Sequence, residues 1–415
     1  MIRPKSVVNA CVFTVLTLSS FITTADTVVE LEKRIQQLEI LVEKLSSESA
    51  AVSDSDGMQE NDEPDDEVIT RSISDLTLEL EEQHYLIEEL IKKDENRMQV
   101  SGYADVEYKG SDSPGVSEEF RMHHLSLFFT KKFDNKFKFF SEIEYEDAPK
   151  FDGINDGSGE LEEASGTIFV EAVNFDWNYS QLINLRAGRF FSPAGIWSED
   201  HYPPFVATQE RPMHIFRIFP QFVDGVSGFG RQYLTDLISV DYNVFIGNGE
   251  SSISGKKDLN SNKATGFRGR IQLPLWDEFN LGFTLYNDNE DSANGNADKF
   301  AYGYHLEARY HNISVQGEYA LANLEFSDDA LDYDREGFYA QFKYHLNDWD
   351  LGYRYDYYDA NNLGTNTVKR NSIFVNFHLN EAITLKGEYH RNQYQNSSVD
   401  DVGFYTFSIS TYLGN

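Results

Sequence analysis

The sequence predicts an all-β transmembrane barrel of about 16 antiparallel strands, preceded by short α-helical coiled-coil segments. Three observations carry that prediction. From Gln99 onward, apolar and polar residues alternate with a period of two. In 382–390, for example, Ile383, Leu385, Gly387 and Tyr389 share one face, and Thr384, Lys386, Glu388 and His390 share the other. Most such segments run ten or eleven residues, the length a tilted strand needs to cross a hydrocarbon core. Their connections also alternate. Tight turns at 133–135, 178–180, 311 and 347–348 are interleaved with longer polar stretches such as 248–263, 288–299 and 359–368. A membrane barrel has short turns on one rim and long loops on the other, whereas a soluble sandwich has no reason for that asymmetry.

The elements follow in order. Residues 1–25 read as a secretory signal peptide: Arg3 and Lys5, an apolar run over 10–22, then a small-residue cut site at Thr23-Thr24-Ala25. The single cysteine, Cys11, lies inside it, so no intrachain disulfide is expected. No other apolar run reaches about 18 residues, so any membrane must be crossed by strands. Residues 26–45 carry a heptad seam at Val28, Leu31, Ile35, Leu38, Val42 and Leu45, with β-branched residues at a and leucine at d. That choice favours parallel dimers in isolated peptides. Residues 46–67 hold nine acidic residues and no basic one, a composition that predicts a disordered linker. A second coiled-coil helix occupies 68–97, with Ile69, Ile73, Leu76, Leu80, Gln83, Ile87 and Leu90 on its seam. Gln83 at a core position weakens such a pair and can set its register. Each coil is marginal alone.

The barrel occupies 98–415, with sixteen alternating segments from 99–109 to 403–413. One face of each segment is nearly all apolar, as at Ile238, Val240, Tyr242, Val244 and Ile246. The other is polar. Parity places basic Lys109, Lys138, Arg186, Arg268, Arg270, Arg309, Lys343, Arg354 and Lys386 on the inner wall. It places Asp105, Glu107, Glu142, Glu144, Glu171, Asp241, Glu307, Glu318, Asp356 and Glu388 there too, with His124, His305, His345, His378 and His390. A nearly balanced wall predicts no strong choice between ions. Arg189 and Arg231 are undecided, because parity slips at a bulge. Arg186, Arg268, Arg270 and Arg309 on one wall could pass an anion along; the plainer reading pairs them with carboxylates such as Glu307 or Glu318.

A net charge of −34 argues against nucleic acid as a partner. No metal-protease, nucleophile-elbow, CxxC or phosphate-loop motif is present, so no enzyme, catalytic residue, cofactor or metal site is expected.

One stretch fits neither period. Residues 191–205, FSPAGIWSEDHYPPF, hold Pro193, Pro203 and Pro204, which exclude them from a helix or sheet interior. They are too aromatic to be a disordered tail.

The barrel region resembles Gram-negative porins, most closely the phosphate-selective porin O and P family. The resemblance rests on FRMHHLSLFFTKKFDNKFKFFSEIEY at 120–145, LRAGRFFSPAG at 185–195, Glu210-Arg211-Pro212, and Gly225 and Gly228. It implies a homotrimer in the outer-membrane lipid of a Gram-negative bacterium. Its activity would be passive diffusion of small hydrophilic solutes or ions, anions among them, through a water-filled channel. It also implies that the connection from the fifth strand to Phe222 folds into the pore. Glu199, Asp200, His201, Arg211, His214 and Arg217 would then face the solute. Ile196, Trp197, Tyr202 and Phe205 would pack on the wall, which carries Arg186, Arg268, Arg270, Arg309, Lys343 and Arg354. The coiled coil resembles the periplasmic extension of some sugar- and dicarboxylate-selective porins. Two features depart from the family: His123 and His124 stand where arginines are frequent, and the chain ends Tyr412-Leu413-Gly414-Asn415 instead of on an aromatic residue. The alternative is a structural barrel that tethers the outer membrane to the cell wall through its coiled coil.

Overall fold

A computed structural model of the chain describes residues 33–36, 39–40, 77–78, 81–85, 97–147, 166–250, 261–292 and 295–414. The chain divides into two compact units between Arg97 and Met98. In the first, the described residues up to Tyr85 are helical. Ile35 and Gln83, both seam positions, are buried within the single chain, while the described residues beside them are exposed. The signal peptide expected over 1–25 and the linker expected over 46–67 lie outside the described residues.

The second unit is a closed barrel of sixteen antiparallel strands. They are β1 (Gln99–Ser111), β2 (Glu119–Lys132), β3 (Phe137–Glu146), β4 (Thr167–Asn178), β5 (Asn184–Phe191) and β6 (Phe222–Tyr233). Then come β7 (Ser239–Asn248), β8 (Lys263–Gln272), β9 (Glu278–Ser292), β10 (Gly295–Tyr310) and β11 (Ile313–Phe326). The last are β12 (Tyr333–Leu346), β13 (Trp349–Asp359), β14 (Thr367–His378), β15 (Ile383–Tyr394) and β16 (Val402–Tyr412). Each strand pairs with the next, and β1 pairs with β16 from Tyr103↔Tyr412 to Ser111↔Phe404. Closure leaves no open edge, the condition for a sheet to sit in lipid.

The tight turns have local causes. Asp134 Oδ1 accepts the Lys136 and Phe137 N–H groups at 2.7 Å each. Asn380 Oδ1 does the same for Ala382 and Ile383 at 2.9 Å. Such side chains mimic a backbone turn. One expectation changes: 288–299 is not an open polar loop. β9 and β10 stay paired there, from Asp288↔Lys299 to Ser292↔Gly295. Both faces are polar, so no alternation of hydrophobicity marks the extension. Its pairs are ionic and amide contacts, such as Asn289 Nδ2 to Asp298 Oδ1 at 2.6 Å and Lys299 to Glu290 at 3.0 Å.

The alternation puts the expected polar set inside. Tyr103, which shares the inward parity of Asp105 and Glu107, is buried and donates its hydroxyl to Glu144. Two bulges lie close together on the inner wall. The β1–β2 register jumps from Asp105↔His124 to Val106↔Met122, leaving His123 as an extra residue. The β3–β4 register jumps from Glu142↔Ala172 to Ile143↔Val170, leaving Glu171 extra. A bulge re-aims the side chain it inserts.

Candidate functional site

The connection 192–221 carries the sequence that matched no period, and its own backbone makes few internal bonds. Ser192 N–H donates to the Gln221 carbonyl at 2.9 Å, closing its neck. Backbone groups without a ladder must find partners elsewhere. Here the inner wall supplies them. Gly195 N–H donates to Thr284 Oγ1 on β9 at 3.2 Å, and Trp197 N–H to Glu318 Oε1 on β11 at 3.1 Å. The Lys386 ammonium on β15 donates to the Pro203 and Val206 carbonyls at 2.5 and 2.6 Å. Asn376 on β14 donates to the Ala207 carbonyl at 2.9 Å. Gln209 N–H reaches Glu388 on β15 at 2.6 Å, while its side chain reaches Asp105 on β1 at 3.0 Å. Met213 N–H reaches Asp356 on β13 at 3.2 Å. Inward side chains from β1, β9, β11 and β13 to β15 hold this one loop, so it lies across the lumen.

The root of the loop is apolar. Ala194, Met213, Ile218 and Phe219 pack with Phe190, Val223, Phe245 and Tyr286 of the wall. Ile196 and Trp197 are buried as expected, whereas Phe205 is 62% exposed and lies 5.3 Å from the Tyr412 ring.

The six expected solute-facing residues separate into two groups. Glu199 and Asp200 are exposed, and Glu199 pairs with Arg268 at 2.7 Å. Arg217 is exposed over the Tyr358 ring at 5.0 Å, and half-buried Arg211 lies over Phe216 at 5.2 Å. His201 and His214 do not face solute; both are buried. His201 is enclosed by Phe191, Tyr202 and Phe216, with ring centroids at 4.7, 4.8 and 5.9 Å. His214 stacks on Tyr339 at 5.9 Å. Burial, with Arg211 nearby, holds His201 down to about 3. Burial, with Arg354 and Arg217 nearby, does the same for His214. Both imidazoles are neutral. Burial alone would raise the Glu210 carboxyl, but Arg370 and Lys109 draw it down to about 2.

Among the expected wall residues, Arg354 is also corrected. It exposes no surface; it donates to Asp356 at 2.9 Å, to Thr208 Oγ1, and to the Glu210 carbonyl at 2.8 Å. The loop covers it. Arg186, Arg268, Arg270, Arg309 and Lys343 each have a carboxylate beside them. Arg186 grips Asp176 with two bonds of 2.7 and 2.9 Å, and Arg270 meets Asp241 at 2.9 Å. Arg309 lies 3.8 Å from Glu278, and Lys343 is 3.0 Å from Asp350. Of the anticipated partners, Glu307 does pair with Arg270, at 3.9 Å, whereas Glu318 serves the loop backbone. Arg231, undecided by parity, points inward to Asp241. Arg189 pairs with Asp224 at 2.7 Å on the side away from the lumen, in alternation with exposed Val226. Arg370 was missed, though it shares the parity of His378; it bonds Glu210 at 3.0 Å.

Two spaces border the loop. A cavity of 390 Å³ is lined by Trp197, Asp200 and Phe205 of the loop and Glu307, Arg309 and Lys343 of the wall. A second, of 310 Å³, is lined by Glu199, Arg231, Asp241, Arg268 and Arg270. Each sets a loop carboxylate against wall cations.

No protein-family model matches the chain. It is 30% identical over 280 residues to an "Uncharacterized protein" of Aquifex aeolicus (strain VF5), over 60% of this chain and 61% of that one. The chain thus spans less than two thirds of that relative. Its fold is similar to the anion-selective porin from Comamonas acidovorans, with a TM-score of 0.56 at 12% identity over 76% of this chain and 99% of that one. Salmonella typhi OmpF in complex with daunomycin gives 0.54 at 13% over 77% and 99%. The loop L8 deletion mutant of Vibrio cholerae OmpT gives 0.53 at 13% over 76% and 99%. The likeness is one of fold: a closed antiparallel barrel of sixteen strands.

Proposed function

We propose that this chain is an outer-membrane diffusion channel for small hydrophilic solutes, with the loop 192–221 as its constriction. The observation that carries the reading is the loop itself, bonded through its backbone to strands around the inner wall and bordered by spaces of 390 and 310 Å³ lined by charges of both signs. A barrel that only anchored a tether would need no such device. The wall arginines favour weak charge selectivity over an anion relay, because each already has a carboxylate partner. A relay of guanidinium forks requires forks left open to the anion.

We place the barrel in the outer membrane of a Gram-negative cell, as a homotrimer with the N-terminal unit in the periplasm. The Arg189–Asp224 pair supports self-association. Charge on the lipid face of a barrel costs a few kcal/mol near the midplane, and a neighbouring copy would cover it.

Single-channel recording in planar bilayers tests the reading, with reversal potential under a salt gradient and competition by phosphate, dicarboxylates and oligosaccharides. Stepwise conductance, blocked incompletely by every anion, is the expected result. A folded, inserted barrel that stays silent would overturn it. Envelope blebbing on deletion of residues 26–95 would then favour the tether.

A further inference from the structure

We infer that Glu142, Glu144, Glu171 and His201 form a site for one first-row divalent metal ion, such as Zn²⁺ or Mn²⁺, that ties the inward loop to the β3–β4 wall. Glu142 and Glu144 alternate inward on β3, and the β4 bulge turns Glu171 to the same place. All three are buried, at 2% exposure or less, and a carboxylate oxygen of each lies within 4.8 Å of the others. Among the described residues, no lysine or arginine forms an ion pair with any of them. His124 has a ring nitrogen within 4.8 Å of a Glu144 oxygen, but bonds Asp105 at 2.8 Å and lies 3.5 Å from Glu146.

Their hydrogen bonds orient the carboxylates without using them up. Ser126 Oγ donates to Glu142 Oε1 at 2.7 Å, and the Tyr202 hydroxyl to Glu142 Oε2 at 3.3 Å. Tyr103 donates to Glu144 Oε2, and Gln221 Nε2 to Glu171 Oε1 at 3.2 Å. Glu144 Oε1 and Glu171 Oε2 are left buried with no partner.

His201 is the independent observation. It comes from the loop, is 97% buried, and has no hydrogen bond at either nitrogen. Its Nε2 lies 3.8 Å from the orphan Glu171 Oε2. Three carboxylates packed this closely cannot all stay charged without a counter-charge. Shared protons would relieve the carboxylates but leave the imidazole with nothing to bond. A metal ion takes all four. Bonds of about 2.0–2.2 Å put neighbouring ligand atoms roughly 3–4 Å apart. The carboxylate oxygens lie within 4.8 Å of one another and His201 Nε2 is 3.8 Å from Glu171, so side-chain rotation must draw the set together around an ion. A carboxylate-rich set with one neutral imidazole suits Zn²⁺, Mn²⁺ or Fe²⁺, whereas Ca²⁺ takes more ligands, all oxygen. Ser126, Tyr103, Tyr202 and Gln221 are the outer hydrogen bonds that hold such ligands in place. No sequence spacing announces this set, since its members come from two strands, a bulge and a loop.

The test does not depend on conduction. The full-length folded protein, stripped with EDTA in detergent, is dialysed against Zn²⁺ or Mn²⁺, and retained metal is measured by mass spectrometry. About one ion per chain is expected, with Zn²⁺ raising the thermal midpoint. Glu171→Gln and His201→Gln should each weaken retention at least about tenfold, and abolish that rise. Circular dichroism and heat-shifted gel mobility confirm that both variants are folded barrels. No saturable retention by the wild type overturns the site, leaving shared protons as the account of the cluster. Retention unchanged in both variants overturns it equally, moving the metal elsewhere.

Discussion

Arg354 and Asp356 stand two residues apart on β13, joined at 2.9 Å, and neither exposes any surface. Each also holds the loop: Arg354 through Thr208 and the Glu210 carbonyl, Asp356 through the Met213 N–H. Removing one partner of a buried ion pair leaves the other unpaired, at a cost of about 3–5 kcal/mol. Arg354→Met should therefore release the middle of the loop, giving larger and noisier single-channel steps while the barrel still forms. Adding Asp356→Leu should recover part of the loss, because the stranded charge is gone. Equal conductance in wild type and Arg354→Met would show that the pair does not hold the constriction.

Gly195 sits at φ +61 where the loop turns onto the wall. A side chain there would run into the Glu318 carboxylate that receives the Trp197 N–H. Gly195→Val combines that collision with a left-handed backbone, which costs an L-residue about 1–2 kcal/mol by itself. Limited proteolysis should cut within 192–221 at least about tenfold faster, with the barrel's heat-shifted mobility unchanged. An unaltered cleavage rate would show that the loop tolerates the side chain.

Acid should loosen the loop. His214 titrates near 3 when packed, and near 6.5 when free. The unseated state therefore binds the proton more readily, so the seated loop loses stability as pH falls from 6.5 towards 3. The full effect is on the order of 4 kcal/mol. Glu210, at about 2 when seated against 4.5 free, adds to the loss below pH 4.5. Conductance and loop proteolysis measured from pH 8 to pH 4 should stay flat above 6.5 and rise below it. His214→Gln should remove about half of that rise, because His201 on the same loop is held down in the same way; identical profiles would assign the acid response to other groups.

Replacing both Arg268 and Arg270 by alanine strips the cations from Glu199 and from one side of Asp241. The reversal potential should move towards cations, with the permeability ratio changing by a factor of about 2–3, the scale of a partly exposed ion pair. Replacing Glu199 by Gln at the same time should reverse part of the shift. No movement in either variant would make the arginines purely structural.

The barrel was legible because lipid and water ask opposite things of alternate residues. That rule alone placed Tyr103, Arg186, Arg268 and Glu318 on the inner wall, where they lie. It failed where alternation is absent or broken. Polar residues on both faces hid the extension of β9 and β10. A bulge obscured the side chosen by His123. The burial of His214 and Arg354 comes from a ring and a loop carbonyl far away in sequence, which no local pattern records, and that of His201 from Phe191, Tyr202 and Phe216, which only the aperiodic path of the loop brings around it.

The anchors of the loop also lie far along the chain. Trp197 and Glu318 are 121 residues apart, Met213 and Asp356 143, Gln209 and Glu388 179, and Pro203 and Lys386 183. The loop is therefore translated long before the side chains that seat it. Its contacts to earlier strands, Tyr202 to Glu142 and Gln221 to Glu171, have their partners already made. The berths on β13, β14 and β15 do not exist until those strands are added and the barrel closes through β16. The two sides of the loop are thus secured by opposite ends of the barrel sequence.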